Sequence, residues 1–360
     1  MSSEFGNSLK ISVFGESHGK AVGVTIDGLP AGEQIDLREL SLFLDRRRPG
    51  RNSLSTKRSE TDAPVFLSGV TEGKTNGSPL CAIIFNEDTN SADYSEFADR
   101  PRPSHADYTA FIKWSGLCDM RGGGHFSGRL TAPICIAGGV AKQVLSRRNI
   151  FVGAHLASVA QVSDTQFPLI PSRELFDRIS AKSFPVIDDE KGSLMQAEIT
   201  SAASDSDSVG GIVECAVIGL PPGIGSPMFG GVENRLSAAI FGIPAVKGLE
   251  FGAGFECAKV RGSQNNDPFI ADENGRISTD TNNCGGILGG ITNGMPVLFR
   301  TAFKPTPSIG ITQNTVSLSR LKNVKLKING RHDPCIAHRA VPVIEAATAL
   351  VILDLILEGN

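Results

Sequence analysis

Residues 341–357 read Val-Pro-Val-Ile-Glu-Ala-Ala-Thr-Ala-Leu-Val-Ile-Leu-Asp-Leu-Ile-Leu and form the longest apolar stretch of the chain. Glu345 and Asp354 interrupt this stretch, which is too short and too polar to span a membrane. Proline is tolerated in the first turn of a helix, because its missing N–H would have no helical partner there. The stretch therefore predicts an amphipathic core helix over residues 340–357, with Pro342 in its first turn.

Short strand-like and helix-like patterns alternate along the rest of the chain. Several of the strand-like runs are amphipathic or lie next to turns, which favours an α+β fold with antiparallel sheets over a doubly wound parallel sheet. No long linker or low-complexity tract divides the sequence, so we expect a single domain over residues 1–360. Strands are predicted at 9–14, 22–26, 80–85, 150–162, 211–220, 246–251 and 295–303, and the other helices at 36–47, 106–114, 131–145, 172–181, 188–203 and 232–241.

Composition excludes several classes of function. The net charge of −3 gives no overall basic field of the kind that nucleic-acid binding needs, so any anion site must come from local clusters of arginine. The seven cysteines include no CxxC pair or zinc spacing, and they are predicted to be small buried residues in a reducing compartment. The first ten residues lack the apolar core of a signal peptide. We expect a cytoplasmic protein that contacts neither nucleic acid nor membrane and holds no metal.

Two short segments supply candidate acid and base residues. Pro334 biases Asp333 toward an extended conformation, and the neighbouring Arg331 and His332 favour the ionised carboxylate, as in a positioned base. His18 stands in the segment Gly15–Gly19 after a predicted strand, where glycine allows a ligand to approach closely. For the segment around Asp333, the alternative is a surface turn with a local ion pair.

Other segments have the character of anion-binding loops. Gly122, Gly123 and Gly124 can direct backbone N–H groups at an oxyanion, and basic side chains flank them. The cluster Arg46–Arg48 ends a predicted helix with more positive charge than the helix dipole requires. Lys304–Ser308 offers a cation and hydroxyls at a strand end. Each loop alone could be an ordinary turn, and no Rossmann or Walker pattern is present to bind a nucleotide in the common way.

Taken together, these segments resemble the chorismate synthase family, and the likeness extends from Gly15 to Glu345 in the family's order. The matching motifs are Gly15–Gly19 with Asp27–Pro30, Asp45–Gly50, Arg121–Gly124 leading to Ser127–Arg129, Ala245–Gly248, and Arg331–Cys335 leading to Glu345-Ala346. The sequence departs from many members at His125, where they have arginine, and at Leu130, where they have glutamate. Ser53 replaces an arginine assigned to nicotinamide-dinucleotide contact in some members, and Pro244 replaces an asparagine.

The resemblance implies a 1,4-anti elimination of phosphate from 5-enolpyruvylshikimate-3-phosphate, giving chorismate with the help of reduced FMN. It implies that His18 protonates the leaving phosphate, that His105 protonates the flavin, and that Asp333 helps to remove the C6 proton. Phosphate and carboxylate groups of the substrate are expected on Arg47, Arg48 and Arg129. The family's flavin contacts correspond to Arg47, His125, Phe126, Ser127, Pro244, Ala245, Gly289, Lys304, Pro305, Thr306, Pro307, Ser308 and Arg331.

The resemblance further implies helices sandwiched between two four-stranded antiparallel sheets, and a homotetramer. We expect an external flavin reductase, since the chain has no spare domain for one, and a role for NADPH only in regenerating reduced FMN. Two other classes stay open from the residues alone. One is a flavin oxidoreductase with net electron transfer, and the other is a non-catalytic phosphate- or flavin-binding regulator.

Overall fold

A computed structural model describes residues 3–50, 61–87, 97–328 and 333–359 of the chain. Most predicted helices are confirmed to within one or two residues, and three of them (α1, α4 and α5) begin at a capping side chain. Asp36, for example, accepts the N–H groups of Arg38 and Glu39 at 2.8 and 3.0 Å. The α-helices of the described residues are α1 (Leu37–Arg47), α2 (Asp107–Lys113), α3 (Thr131–Ser146), α4 (Arg173–Ala181), α5 (Asp189–Ser204), α6 (Val232–Ile240), α7 (Gly262–Asn265) and α8 (Ala337–Glu358).

The strands also follow the predicted order, with short additional ones between them. They are β1 (Glu4–Phe5), β2 (Lys10–Gly15), β3 (Ala21–Asp27), β4 (Val65–Ser68), β5 (Val70–Thr71), β6 (Lys74–Thr75), β7 (Leu80–Phe85), β8 (Phe151–Val159), β9 (Val162–Ser163), β10 (Gly211–Ile218), β11 (Val246–Phe251), β12 (Phe269–Ala271), β13 (Ile277–Thr279), β14 (Ile287–Leu288), β15 (Ile291–Thr292), β16 (Val297–Phe303), β17 (Gln313–Ser317) and β18 (Lys322–Leu326).

Two five-stranded sheets dominate the fold. The first has the order β1-β2-β3-β7-β4 and the second β11-β16-β10-β8-β9, and every pairing is antiparallel. The expected antiparallel sheets are therefore confirmed, but each has five strands rather than four. The difference arises because a two-residue strand, β1 or β9, is added at one edge of each sheet.

Helices α3 and α8 pack against each other and against strands of the two large sheets. Helix α3 contacts β3 and β7 of the first sheet, and α8 contacts β8 and β10 of the second. The two helices approach closely at Gly138, where a Cβ atom would overlap the backbone of Ala346. Small residues at this crossing thus set the spacing of the whole core.

Helix α8 is the predicted core helix, but it begins earlier than expected. It starts at Ala337, so Pro342 lies inside the helix and not in its first turn. The expectation that this stretch is too short and too polar to span a membrane is wrong, because the helix that contains it runs from Ala337 to Glu358 and is long and apolar enough by length and composition alone. However, 89% of its apolar window is buried inside the protein. This burial identifies it as a core helix.

Two carboxylates of α8, Glu345 and Asp354, are buried and bonded to other elements. Glu345 accepts two hydrogen bonds from Arg46 at 2.8 and 2.6 Å and forms an ion pair with Lys142. Burial alone would raise the pKa of Glu345, but these two cations lower it to about 2. Asp354 pairs with Arg235 and accepts the backbone N–H groups of residues 7–9. The two carboxylates therefore fix α8 to α1, α3, α6 and the N-terminal segment.

The prediction of buried cysteines is right for Cys135, Cys215 and Cys335, which lie in the core as free thiols. Burial raises the pKa of Cys135 to about 12, so this thiol stays protonated. The prediction is wrong for Cys257, which is exposed on the short turn between β11 and α7.

His338 makes folding stability depend on pH. It is buried beside Phe184, and burial, helped by Arg339, lowers its pKa to about 4 despite the opposing charge of Asp333. A histidine in the unfolded chain titrates near pH 6.5, so the unfolded state takes up the proton first as the pH falls. The stability due to neutral His338 is complete above about pH 6.5 and is lost as the pH falls toward 4.

We therefore predict that His338→Leu removes part of the acid sensitivity. Wild type should lose about 2 kcal/mol more unfolding free energy than the variant between about pH 7.5 and pH 5, by the linkage relation. Urea titrations of both proteins at the two pH values measure this difference. If the unfolding free energies of the two proteins differ by the same amount at both pH values, the assignment to His338 is wrong.

Candidate active site

A cavity of about 1310 Å³ lies where the ends of both sheets and the helices α1, α3, α6 and α8 meet. Its lining comes from segments far apart in sequence, and it includes most of the predicted site residues. These are His18, Arg47, His105, His125, Phe126, Ser127, Arg129, Pro244, Ala245, Lys304, Thr306, Pro307, Ser308 and Asp333. The fold thus brings together the candidate acid, base and anion-binding residues in one place.

Other predicted site residues are not part of this lining. Arg48 is not among the lining residues and forms a half-exposed ion pair with Asp45 at 3.3 Å. Gly289 lies in the turn between β14 and β15, and Pro305 is also absent from the cavity wall among the described residues. Arg331, His332 and Ser53 lie outside the described residues.

The three-glycine segment separates two of the histidines. Gly122, Gly123 and Gly124 all have positive φ values, which L-residues with side chains rarely adopt. A Cβ atom on Gly122 would overlap the ring of His18, and one on Gly123 would lie 3.5 Å from Nε2 of His105. The bare backbone of this segment therefore lies between the two imidazoles and keeps them on either side of it.

His105 belongs to a polar network at the start of α2. Its Nδ1 atom lies 2.6 Å from Oδ1 of Asp107. Asp107 also receives two side-chain hydrogen bonds from Arg102, at 2.8 and 2.7 Å. Burial alone would raise the pKa of Asp107, but Arg102 and His105 hold it far below its usual range. Asp107 is therefore a carboxylate, and His105 donates a proton to it from Nδ1.

Arg47 and Arg129 share one buried carboxylate. Asp62 forms ion pairs with both guanidinium groups, and all three side chains are almost fully buried. Burial alone would raise the pKa of Asp62, but the two arginines outweigh it and lower the pKa. Arg129 also donates to the side chain of Asn86 at 2.9 Å. Two cations against one anion leave this part of the cavity wall positive, as an anion site requires.

Asp333 faces the same cavity and is held by a residue of α8. It forms an ion pair with Arg339, whose Nε donates to the carbonyl of Arg47 at 3.0 Å. Burial and the charge of Arg47 lower the pKa of Arg339, although Asp333 acts against them. The pair links the candidate base to the arginine cluster that would bind an anion.

His125 connects the segment Gly15–Gly19 to the N-terminal strand. Its Nδ1 lies 2.8 Å from the carbonyl of Gly15, which can only accept, so Nδ1 carries a proton. Its Nε2 lies 2.8 Å from Oγ of Ser3. The imidazole of His125 thus joins two parts of the cavity wall.

The opposite wall adds further positive charge and a strained backbone. Lys304 bonds to the carbonyl of Ser104, and its pKa is lowered by burial and by the nearby Lys247. Ala245 has a φ of 71°, a conformation that costs of the order of 1–2 kcal/mol in a residue other than glycine. The cavity lining carries five permanent cations (Arg47, Arg129, Lys247, Lys304, Arg339) against two carboxylates (Glu4, Asp333).

Most of the site residues that were not predicted from the sequence act by pairing with other residues of the site. Asp62 and Arg339 stand outside every motif, so only the fold could show that they pair with Arg47 and Asp333. The pairing of Arg102 and Asp107 has a sequence signal, because both flank His105 in one short segment. With two imidazoles, a carboxylate and an excess of cations, the site can bind a polyanion and move protons at two of its faces.

Comparison with known proteins gives one consistent result. The family model described as "Chorismate synthase" matches residues 9–357. A curated chorismate synthase from Thermococcus kodakarensis is 48% identical, and the match covers 97% of this chain and 96% of the relative. One from Dehalococcoides mccartyi (strain BAV1) is 44% identical, and the match covers 100% of this chain and 98% of the relative. A crystal structure of chorismate synthase superposes with a TM-score of 0.78 at 28% identity, covering 98% of this chain and 93% of the other.

We predict that Asp62→Ala destabilises the protein strongly, because it leaves two buried guanidinium groups without their shared carboxylate. Removing one partner of a buried ion pair costs roughly 3–5 kcal/mol. A denaturant titration should show this loss, and inorganic phosphate should restore part of it by binding to the two arginines from the cavity.

Asp45→Ala is the matched control. It removes a carboxylate from Arg48 in the same arginine cluster, but both side chains are 40% exposed. Its cost should stay below about 1 kcal/mol, as for surface ion pairs. Equal unfolding midpoints for Asp62→Ala and wild type would show that the buried bridge does not stabilise the fold.

Proposed function

This chain belongs to the chorismate synthase family, and on that premise we propose how the residues of its cavity perform the family's reaction. The protein is a lyase of the shikimate pathway that removes phosphate from 5-enolpyruvylshikimate-3-phosphate to form chorismate. In the elimination the C3–O bond to phosphate breaks, a proton leaves C6, and a new double bond forms. The chain must therefore bind a phosphate and two carboxylates, and it must move protons at two positions.

The excess of positive charge in the cavity is the observation that carries this proposal. Two like unit charges about 7 Å apart repel by about 2 kcal/mol at an effective dielectric of about 20. A substrate with three anionic groups therefore needs several cations, and the lining supplies five against two carboxylates. We assign phosphate and carboxylate binding to Arg47 and Arg129, with Arg48 as a further candidate at the edge of the cluster.

Reduced FMN is the cofactor we propose, and when bound it would lend electron density to the departing phosphate and recover it afterwards. The cavity volume and its positive walls fit a second anionic ligand beside the substrate. The strained backbone at Ala245 also supports a ligand contact there, since such strain concentrates at binding sites. The residues proposed to hold the flavin are Arg47, His125, Phe126, Ser127, Pro244, Ala245, Gly289, Lys304–Ser308 and Arg331.

His18 is proposed to give a proton to the leaving phosphate. It lines the cavity beside the glycine segment. Asp333 is proposed to take part in removing the C6 proton, and its ion pair with Arg339 supports a fixed direction for the carboxylate. His105 is proposed to hold a proton at Nε2 toward the flavin.

Several features of the wider protein belong to the same proposal. We propose a single domain over residues 1–360 with helices sandwiched between the two large sheets, assembled as a cytoplasmic homotetramer. The packing of α3 on the first sheet and α8 on the second supports the sandwich. An outside reductase would supply reduced FMN, and NADPH would serve only to regenerate it.

The first test uses purified protein, chemically reduced FMN and 5-enolpyruvylshikimate-3-phosphate without oxygen or pyridine nucleotide. We expect equal amounts of chorismate and phosphate, with many turnovers per flavin, because the elimination involves no net redox change. Absorbance of chorismate and assay of released phosphate follow both products together.

Product that forms only after NADPH is added would indicate a built-in flavin reductase or a flavin oxidoreductase. The ratio of NADPH consumed to chorismate formed separates these two, since an oxidoreductase consumes one for each product. Stoichiometric consumption would overturn the elimination without net redox change.

We further predict that His18→Ala and Asp333→Asn each lower kcat by at least about 100-fold, the usual scale for a positioned acid or base. Steady-state kinetics with reduced FMN in excess measure the effect. Asp177→Asn makes the same chemical change on the exposed face of α4 and should leave kcat unchanged. If either site variant turns over near the wild-type rate, the residue it replaces does not have the role assigned here.

A further inference from the structure

We propose that Asp107 is a positioning residue that fixes the tautomer and direction of His105, and that Arg102 holds Asp107 in place for this purpose. The proposal rests on the proposed role of His105 as the proton donor on the flavin side of the cavity. It assigns a task to two buried residues that no step of the reaction requires to touch substrate or cofactor.

The contact between Asp107 and His105 decides which ring nitrogen carries the proton. The Asp107 carboxylate can only accept, and its Oδ1 lies 2.6 Å from Nδ1 of His105. Nη2 of Arg102 also lies 3.0 Å from Nδ1, but it donates to Oδ1 at the shorter distance of 2.7 Å. Because Nδ1 and Oδ1 could not approach to 2.6 Å without a proton between them, Nδ1 keeps its hydrogen in both the neutral and the charged ring. The exchangeable proton must come and go at Nε2, the atom that lies against the cavity beside Gly123.

Arg102 leaves the carboxylate little freedom to turn. Its Nε donates to Oδ2 at 2.8 Å, its Nη2 donates to Oδ1 at 2.7 Å, and its backbone N–H donates to Oδ2 at 2.9 Å. Arg102 and Asp107 are 5% and 3% exposed, so both are shielded from water. Three hydrogen bonds from Arg102 thus fix the carboxylate. The carboxylate in turn keeps the ring of His105 in one orientation, because it accepts a fourth hydrogen bond from Nδ1.

A purely structural ion pair would not need the imidazole at all. Arg102 and Asp107 already neutralise each other and satisfy each other's hydrogen bonds, yet Oδ1 accepts a further bond from a ring that faces the cavity. A histidine fixed in this way can release a proton from Nε2 and regain it without a ring flip. Arg102 also donates from Nη1 to Oγ of Ser308 at 3.3 Å, which connects the network to a second proposed flavin contact.

Nitrogen NMR of the intact protein labelled with ¹⁵N-histidine gives the direct test, with His105 assigned through the variant His105→Gln. In wild type, neutral His105 should carry its hydrogen on Nδ1. In Asp107→Asn, the amide oxygen should take the Oδ2 position, where it can accept hydrogen bonds from Arg102. The amide NH₂ then takes the Oδ1 position and points at Nδ1 of His105. His105 should then change to the tautomer with hydrogen on Nε2. If neutral His105 in the wild-type protein already carries its hydrogen on Nε2, the proposal is overturned, and no variant at Asp107 is needed to show it.

Kinetics test whether the fixed tautomer matters for the reaction. We predict that Asp107→Asn lowers kcat by at least about tenfold, as expected for a histidine in the wrong tautomer, with a much smaller change in KM. In the His105→Gln background the same change should lower kcat no further, because the two residues act as one unit. Additive losses would show that Asp107 acts by another route and would overturn the proposal.

Two further variants keep the test decisive. If Asp107→Asn alone does not fold, the double variant Arg102→Gln/Asp107→Asn replaces it. This variant removes both charges, so no buried cation is left unpaired. It should show the same tautomer change and the same loss of kcat. Asp99→Asn is the matched control, since Asp99 lies in the same segment but bonds to Ser317 and Ser319. It should leave the tautomer and kcat unchanged. A wild-type rate in His105→Gln would instead refute the proposed role of His105.

Discussion

The burial of two carboxylates on helix α8 is the constraint on which the rest of the structure depends. An apolar helix in a core can slide or rotate with little change in contact area, but a buried carboxylate must keep its partners or lose several kcal/mol. Glu345 is satisfied only when α1 and α3 bring Arg46 and Lys142 to it, and Asp354 only when α6 and the N-terminal segment are in place. These bonds fix the position of the helix in the core.

The cavity follows from that arrangement. The end of α1 carries both Arg46, which bonds to α8, and Arg47, which faces the cavity, so the core ion pair and the anion site share one helical turn. The start of α8 likewise supplies Arg339, which holds Asp333. Charges that would repel one another on an open surface are kept close together because the same helices that carry them are fixed in the core. The site is thus an extension of the core's polar contacts.

The sequence was a good guide wherever a signal is local. Capping residues such as Asp36, Ser172 and Asp188 mark helix starts, and alternating apolar residues mark the longer strands. Many of the polar residues that line the cavity were also predicted, since glycine, histidine and arginine motifs are readable one segment at a time, but Arg339 was not. Two-residue strands carry no period that could be detected. The sharing of Asp62 by Arg47 and Arg129 depends on a three-dimensional meeting that no spacing encodes.

The N-terminal strand has a practical consequence through its contact with His125. Ser3, Glu4 and Phe5 form part of the cavity wall, and the hydroxyl of Ser3 bonds to the imidazole. An affinity tag fused just ahead of this strand would emerge beside the ligands and compete for the same polar groups. Glu358, by contrast, ends α8 in an ion pair with Arg235, and neither residue is among those that line the cavity. Purification handles and surface-immobilisation anchors therefore belong at that end of the polypeptide.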